Sequence, residues 1–250
     1  MLGEVRLIPV PGIPEVTPGA DIARLILQAL RQADMRVQDG DVLVVTQKII
    51  SKAEGRLVSL SNVEPSALAV HFATEFGKDP REVEVVLQET DRVVRMAGGS
   101  LIVQTRHGLV CANAGVDHSN VGGGQLCLLP IDPDASAGRI RDGLMQMTGV
   151  EVAVIISDTF GRPWRLGQTN VAIGVAGMRP IMDYRGMNDA EGRELKVTML
   201  AVADELAAAA ELTQNKLDKV PVTIVRGYSY PRGEGSAREL VRPAEKDLFR

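Results

Sequence analysis

The spacing of apolar positions along the chain predicts both helices and strands. Apolar side chains recur at helical spacing in five segments, which are residues 21–33, 65–76, 80–90, 135–148 and 198–213. Short and almost continuously apolar runs predict buried strands at 41–46, 151–157, 170–175 and 221–226, with another strand within 4–10. These segments follow no strict strand-helix-strand rhythm. The pattern therefore indicates an α+β fold with mixed sheets rather than a doubly wound sheet.

Two segments in the middle of the chain are less regular. Residues 92–96 and 100–113 predict a β-hairpin that turns near His107 and Gly108. Their apolar runs alternate too little to face water on one side, which favours cover by a partner subunit. Residues 113–134 show no period and are rich in Gly, Asn and Asp, so they predict a functional loop. We take residues 1–250 as one domain and leave open a boundary between two subdomains within 75–115.

Composition narrows the classes of protein and partner. The chain has 250 residues, of which 45% are hydrophobic and 24% charged, with a net charge of -4. It lacks the basic excess that binding to nucleic acid requires. Its apolar runs are far shorter than the ~20 residues that cross a bilayer, and its N-terminus lacks the pattern of a signal peptide. Cys111 and Cys127 form no metal-binding motif. We therefore expect a cytoplasmic protein with neither nucleic acid nor membrane as partner.

Two polar clusters are candidates for metal-dependent chemistry. Asp117 and Asn120 stand close together in the irregular loop, where they suit either a hard cation with a phosphate or base edge, or an Asx-turn. Asp158 and Thr159 follow the buried strand 151–157. A carboxylate and a hydroxyl at a strand end are typical of Mg²⁺ sites in phosphoryl transfer, and a helix N-cap is the alternative for Asp158.

Two further clusters are cationic. Arg162 and Arg165 follow Asp158 within one predicted loop and suit either a bound phosphate or a solvated surface. Lys48, Lys52 and Arg56 are four residues apart, so on a helix they would share one face. Such a face either binds an anion or is ordinary surface.

Taken in order along the chain, several sequence blocks resemble one known family. They are PVPGIP at 9–14, ISKAEGR at 50–56, NAGVDHSN at 113–120, LLPIDPD at 128–134, ISDTFGRPWRLG at 156–167, DYRGMNDAEGRELKVT at 183–198, VADELA at 202–207 and VPVTIVRG at 220–227. These blocks are similar to those of the coenzyme F420-0:L-glutamate ligases, and the ending RPAEKDLFR resembles the bacterial form of that domain. No C-terminal nitroreductase-like domain is expected.

The resemblance implies GTP-dependent amide synthesis. The carboxylate of an F420 precursor, F420-0 or its dehydro form, would be phosphorylated by GTP, and the amine of L-glutamate would displace the phosphate. Further glutamates would be joined through γ-carboxylates. The resemblance also implies two divalent ions, Mg²⁺ or Mn²⁺, with K⁺ as an optional further ion. It implies a family-specific α+β fold and an intertwined homodimer.

The resemblance also assigns residues to roles. It implies that the nucleotide contacts Pro11, Gly12, Ile13, Pro14, Gln47, Lys48, Lys52, Asn120, Gln214 and Lys216. Asp117 and Asp158 match ligands of the first metal ion, and Thr159 matches a ligand of the second. Asp158, Asp117 and Lys52 are the expected catalytic residues.

One departure from the family pattern concerns the second metal ion. Where the family often has Met-Gly followed by Gln or Glu, this chain reads TQNKLDK, which brings Lys216 near the position of a metal ligand. A protonated lysine has no lone pair to offer a cation. Gln214 and Asn215 are the alternative ligands.

Two rival functions use the same residues. A metal-dependent phosphohydrolase would direct water, rather than a carboxylate, at the nucleotide. A non-catalytic protein that binds a deazaflavin or a nucleotide would consume no GTP. Paired aspartates of the metal-binding type favour catalysis over simple binding.

Overall fold

The computed structural model describes residues 3–118 and 123–248. The strands are β1 Arg6–Pro9, β2 Val42–Thr46, β3 Leu57–Ser59, β4 Thr90–Ala97, β5 Ser100–Thr105, β6 Val110–Ala112, β7 Gln125–Cys127, β8 Ala153–Arg162, β9 Arg165–Ala176, β10 Met182–Asp183, β11 Met199–Leu200 and β12 Val222–Arg226. The helices are α1 Ile22–Gln32, α2 Gln47–Ala53, α3 Ala67–Phe76, α4 Pro80–Gln88, α5 Pro133–Thr148 and α6 Val202–Gln214. Short 3₁₀ turns lie at Leu60–Asn62, Asn113–Gly115, Ala237–Leu240 and Ala244–Lys246.

A five-stranded mixed sheet forms the centre of the fold, with the strand order β1-β12-β2-β8-β9. Strands β2 and β8 run parallel, and the other neighbours are antiparallel. The parallel pair brings the carboxyl end of β2 next to Ser157 within β8. The predicted α+β class with mixed sheets is confirmed.

Alternating side chains of the central strands build two cores. Leu43 and Val45 of β2 pack with α1 and α5 on one face, whereas Val42 and Val44 pack with α6 on the other. This two-residue period is the ordinary geometry of a strand with both faces covered. The α5 face also requires a glycine, because a Cβ at Gly174 of β9 would lie 2.4 Å from the backbone oxygen of Pro133.

The chain between β2 and β8 carries two smaller sheets. Strands β4, β5 and β6 form one, and β3 pairs with β7 in the other. The buried side of β5 packs on α3 and α4 through a separate apolar cluster that includes Phe72, Leu101 and Val103.

The predicted turn near His107 and Gly108 is confirmed, but the two-stranded hairpin predicted within 92–113 was wrong in its number of strands. The structure has three strands there, with a first turn at Gly98-Gly99 and a second near Gly108. Both Gly98 and Gly99 have positive φ, the geometry that tight two-residue hairpin turns require. The expectation that these strands alternate too little was also wrong for β5, whose residues alternate regularly between buried and more exposed positions. Strand β4 is mostly exposed.

The predicted strand 151–157 is also longer than expected. Strand β8 continues to Arg162 because β9 pairs with it through Thr159 and beyond, so Asp158 lies within a strand. The cap alternative for Asp158 is therefore wrong. Among the described residues no helix is long and apolar enough to cross a membrane.

Candidate active site

The candidate site lies at the edge of the sheet where the parallel pairing of β2 with β8 ends. Thr46, the last residue of β2, pairs with Ser157 of β8. Helix α2 begins at the next residue after Thr46, and Asp158 is the next residue after Ser157. The carboxyl ends of parallel strands are where ligands bind in many α/β sheets. The fold thereby brings the lysines of α2 and the carboxylate of Asp158 to one edge.

Helix α2 presents polar groups of different kinds. Lys48 Nζ lies 2.7 Å from Asp117 Oδ2. Lys52 is buried and pairs with Glu15. Gln47 is also buried, and its Oε1 accepts a hydrogen bond from the Ser51 hydroxyl at 2.7 Å. Of the three predicted nucleotide contacts on α2, Lys48 and Lys52 are thus cations paired with carboxylates, and Gln47 is hydrogen-bonded within the helix.

The predicted nucleotide loop, Pro11 to Pro14, follows β1 without regular structure. The residue after it, Glu15, makes the ion pair with Lys52. The Gly19 N–H further along donates to the Ala53 carbonyl at 2.8 Å. These two contacts hold the loop beside α2. Gly12 has a φ of 79°, which few other residues adopt without strain.

Asp117 is placed by the backbone around it. Its N–H donates to the Cys127 carbonyl at 3.0 Å, and its carbonyl accepts from the Cys127 N–H at 2.8 Å. This pairing with the end of β7 fixes the start of the irregular loop against the small β3–β7 sheet. The predicted partner of Asp117, Asn120, lies outside the described residues.

Asp158 has a pKa well above the usual range of an aspartate. The pKa of its carboxyl is raised to about 6, chiefly because the group is buried and also because the negative charge of Asp117 is nearby. A hydrogen bond from the Thr159 N–H and the charges of Lys216 and Lys48 oppose that rise. Two carboxylates that resist joint ionisation are suited to a shared cation, which would favour the charged form of both.

Thr159 takes part in a separate hydrogen-bonded group. Its hydroxyl donates to Asn170 Oδ1 at 2.7 Å and accepts from Lys216 Nζ at 2.6 Å. Asn170 Nδ2 donates to Glu211 Oε2 at 2.7 Å, and Lys216 Nζ lies 3.1 Å from Glu211 Oε1. The four side chains close a ring between β8, β9 and the end of α6. We call it the Thr159 ring.

Gln214 lies next to this ring but points inward. It is buried, and its Nε2 donates to the Val44 carbonyl at 3.0 Å. The amide therefore joins α6 to β2, and its expected nucleotide contact stays a prediction. Asn215, the other alternative ligand, accepts a hydrogen bond from the Lys216 N–H at 2.6 Å and donates to Asp218 at 3.0 Å.

Three arginines singled out in the sequence lie elsewhere. Arg56 follows the end of α2, and its guanidinium donates to the Leu129 carbonyl at 2.9 Å and to Glu89 at 2.7 Å. The expected cationic face of Lys48, Lys52 and Arg56 was therefore wrong in its last member. Arg162 and Arg165 lie at the exposed tip of the β8–β9 hairpin rather than in a loop. There Arg162 Nη2 donates to the Leu166 carbonyl at 2.6 Å.

Within the described ranges, no group of three or more His, Cys, Asp or Glu side chains is placed to hold a metal ion. This does not conflict with the predicted first ion, because Mg²⁺ is commonly bound by one or two carboxylates together with substrate phosphates and water. Asp117 and Asp158 supply such a pair. The raised pKa of Asp158 beside a second carboxylate fits that use.

The sequence interpretation missed Glu15, Asn170 and Glu211. Asn170 is buried within β9, and Glu211 lies in the last turns of α6. Only Glu211 gave a signal in the sequence, because it lies near the end of an Ala-rich helix. A carboxylate close to the negative end of the helix dipole is unfavourable without a cation, so its position indicates a nearby cation.

The fold and the site geometry do not by themselves fix the class of enzyme, but comparison with known proteins shows that the chain is a ligase. The family model described as F420-0:Gamma-glutamyl ligase matches residues 12–227. The chain belongs to this family, and it is a ligase enzyme.

Relatives in three archaea cover most of the chain, and each is named coenzyme F420:L-glutamate ligase. That of Methanothermobacter thermautotrophicus is 48% identical over 98% of this chain and 99% of its own length. That of Methanopyrus kandleri is 45% identical over 100% and 99%, and that of Methanocaldococcus jannaschii is 44% identical over 87% and 88%. These relatives lend no support to the expected likeness to the bacterial form.

Proposed function

We propose that this protein is a GTP-dependent ligase that joins L-glutamate to the carboxylate of a coenzyme F420 precursor through an acyl phosphate, and that it adds further γ-linked glutamates. The family and the names of its relatives support the precursor and the amino acid. The proposed GTP-dependent chemistry rests on one observation. Asp117 pairs with Lys48 of α2 and lies near Asp158, at the point where the parallel pairing of β2 with β8 ends.

The chemistry requires an activated acyl group, because a carboxylate is a poor electrophile at neutral pH. An oxygen of the precursor carboxylate attacks the γ-phosphorus of GTP, and the bond to the GDP oxygen breaks. The glutamate nitrogen, after losing a proton, then attacks the acyl carbon. The C–N bond forms and inorganic phosphate leaves.

The lysines of α2 and the nearby loop would bind the nucleotide. Lys48 and Lys52 offer ammonium groups to phosphate oxygens, once each exchanges its carboxylate partner, Asp117 or Glu15. Glu15 follows the Pro11 to Pro14 loop, so the same exchange would adjust that loop around the nucleotide. Holding donor and acceptor in line supplies much of the rate of phosphoryl transfer.

Asp117 and Asp158 would hold one divalent ion, Mg²⁺ or Mn²⁺. Such an ion neutralises charge on the phosphate oxygens when it is bound. Strand β8 holds Asp158 by its ladder with β9, and Asp117 is held by its backbone pairing with Cys127. Both carboxylates are therefore placed by backbone rather than by mobile side chains alone.

The release of GDP tests this proposal. We expect GTP consumption by the full chain with Mg²⁺ to need both the precursor and L-glutamate for steady turnover. Equal GTP hydrolysis with and without these two substrates would instead identify a phosphohydrolase. Saturable nucleotide or deazaflavin binding with no GTP consumed under any condition would identify a non-catalytic binding protein.

A further inference from the structure

We propose that the ammonium of Lys216 replaces a second divalent ion in this protein, so that one divalent ion serves each active site. The inference rests on the proposed function, since it concerns the same site. Its subject is the Thr159 ring of Thr159, Asn170, Glu211 and Lys216. The expected second ion does not fit the donor set that the structure presents there.

The first reason is that Lys216 Nζ already lies where a cation would bind Thr159 and Glu211. It is 2.6 Å from Thr159 Oγ1 and 3.1 Å from Glu211 Oε1. Thr159 is the residue matched to the second ion, and Glu211 is the carboxylate that faces it. An ion that binds both oxygens would have to displace the ammonium.

The second reason is that the oxygens of the Thr159 ring are already engaged in hydrogen bonds and ion pairs within the ring. The Thr159 hydroxyl uses its proton towards Asn170 Oδ1 and one lone pair towards Lys216. Glu211 accepts from Asn170 Nδ2 through one oxygen and pairs with Lys216 through the other. Asn170 is buried, which holds the polar arrangement in place from the β9 side.

The third reason is that the backbone positions Lys216. Helix α6 ends at Gln214, and Asn215 follows with a positive φ of 52°. The Lys216 N–H then donates to Asn215 Oδ1, and Asn215 donates onward to Asp218. This turn directs the lysine back towards β8.

In this arrangement the positive charge beside Thr159 is present without the binding of a metal ion. A metal ion must be taken from solution, whereas the ammonium is part of the chain. It remains on the α6 side of β8, since Thr159 and Asp158 are successive strand residues and face opposite sides. Among the described residues, Asp117 and Asp158 would then hold the one exchangeable divalent ion of the site.

The number of manganese ions bound per chain tests the inference. Wild-type protein is saturated with Mn²⁺ and a GTP analogue that has nitrogen between the β and γ phosphorus atoms, freed of loose metal, and assayed for manganese against protein. Lys216→Met removes the ammonium and keeps the length of the side chain. Lys219→Met is the matched control, because Lys219 is exposed in the same connection.

We expect one Mn²⁺ per chain in wild type and Lys219→Met, and two in Lys216→Met. Two ions in wild type would overturn the inference and leave the proposed function standing. One ion in both wild type and Lys216→Met would overturn the claim that the ammonium occupies a cation position. No bound ion in wild type would overturn the inference together with the carboxylate site on which the proposed function depends. Melting curves of each variant with and without Mn²⁺ show that the protein counted is folded.

Discussion

Lys48 Nζ lies 2.7 Å from Asp117 Oδ2, and this ion pair joins the first turn of α2 to the irregular loop after β6. Asp117 in turn raises the pKa of Asp158, and Lys48 lowers it. The three charges therefore respond to one another although they come from three separate parts of the chain. A phosphate that attracts Lys48 would free Asp117 to share a cation with Asp158, so nucleotide and metal ion are expected to bind cooperatively.

We predict that Asp158→Asn abolishes ligation without unfolding the protein. The amide keeps the shape of the side chain but loses the negative charge, so kcat should fall by about 100-fold or more, as it does when one contact to a transition state is removed. The measurement is steady-state turnover at saturating Mn²⁺ together with a melting curve. Asp142→Asn, an exposed change on α5, is the control. Turnover like that of wild type in Asp158→Asn would refute the assignment.

Lys52→Met is expected to raise KM for GTP by roughly 10-fold, which corresponds to the loss of one hydrogen bond from a charged group. Lys52 is buried and paired with Glu15, so the variant also removes that ion pair. Glu15→Gln removes the pair and keeps the ammonium, which makes it the matched control. An equal rise in KM in both variants would mean that Lys52 acts only by holding the Pro11 to Pro14 loop.

The buried ion pair between Arg226 and Asp41 should matter for stability rather than catalysis. Asp41 is 1% exposed, and both of its oxygens accept hydrogen bonds from the Arg226 guanidinium at 2.8 Å. Arg226→Met leaves that carboxylate buried without its cation, so we expect the free energy of unfolding to drop by about 3 to 5 kcal/mol. The exposed pair of Arg24 and Asp21 is the comparison, and Arg24→Met should cost at most about 1 kcal/mol. Urea unfolding of both variants gives the two values, and similar losses would contradict the expectation.

We predict a homodimer whose dissociation removes activity. The tip of the β8–β9 hairpin exposes Trp164 and Leu166, the latter at 97%, and the same hairpin carries Asp158. A partner that covers these side chains would also steady the site. The melting temperature should rise with protein concentration, and Leu166→Lys should shift the equilibrium towards monomer while Leu248→Lys should not. A stable and active species near 26.9 kDa at nanomolar concentration would refute the dimer.

The central sheet could be predicted from the sequence because its signals are local. The runs within β2 and β12 are almost purely apolar and β-branched, since both faces of these strands are covered, and α1 has one apolar stripe with an Asp21 cap. The extension of β8 past Asp158 could not be predicted in this way. Its residues, Thr159 to Arg162, mix polar and apolar types and include Gly161, and they become a strand only because β9 pairs with them.

For the candidate site, too, local signals could be predicted and long-range contacts could not. Asp117, Asp158 and the α2 lysines were found through short motifs, which depend on neighbouring residues. The side chains that contact those residues could not be found in this way. Glu15 meets Lys52, and Glu211 and Asn170 meet Lys216 and Thr159, through contacts between distant segments that no local period encodes. For Arg56 the local signal was misleading. Its spacing from Lys48 and Lys52 predicted one shared helical face, but α2 ends at Ala53, before Arg56 is reached.

The most direct test of glutamate ligation is mass spectrometry of the products formed from F420-0, GTP, L-glutamate and Mg²⁺. The proposed function predicts new species that differ from F420-0 by one glutamyl group, and then by further ones, with one GDP formed for each group added. The dehydro form as acceptor in a parallel reaction tells which precursor is used. GDP formed without any glutamyl product from either precursor would contradict the proposed function.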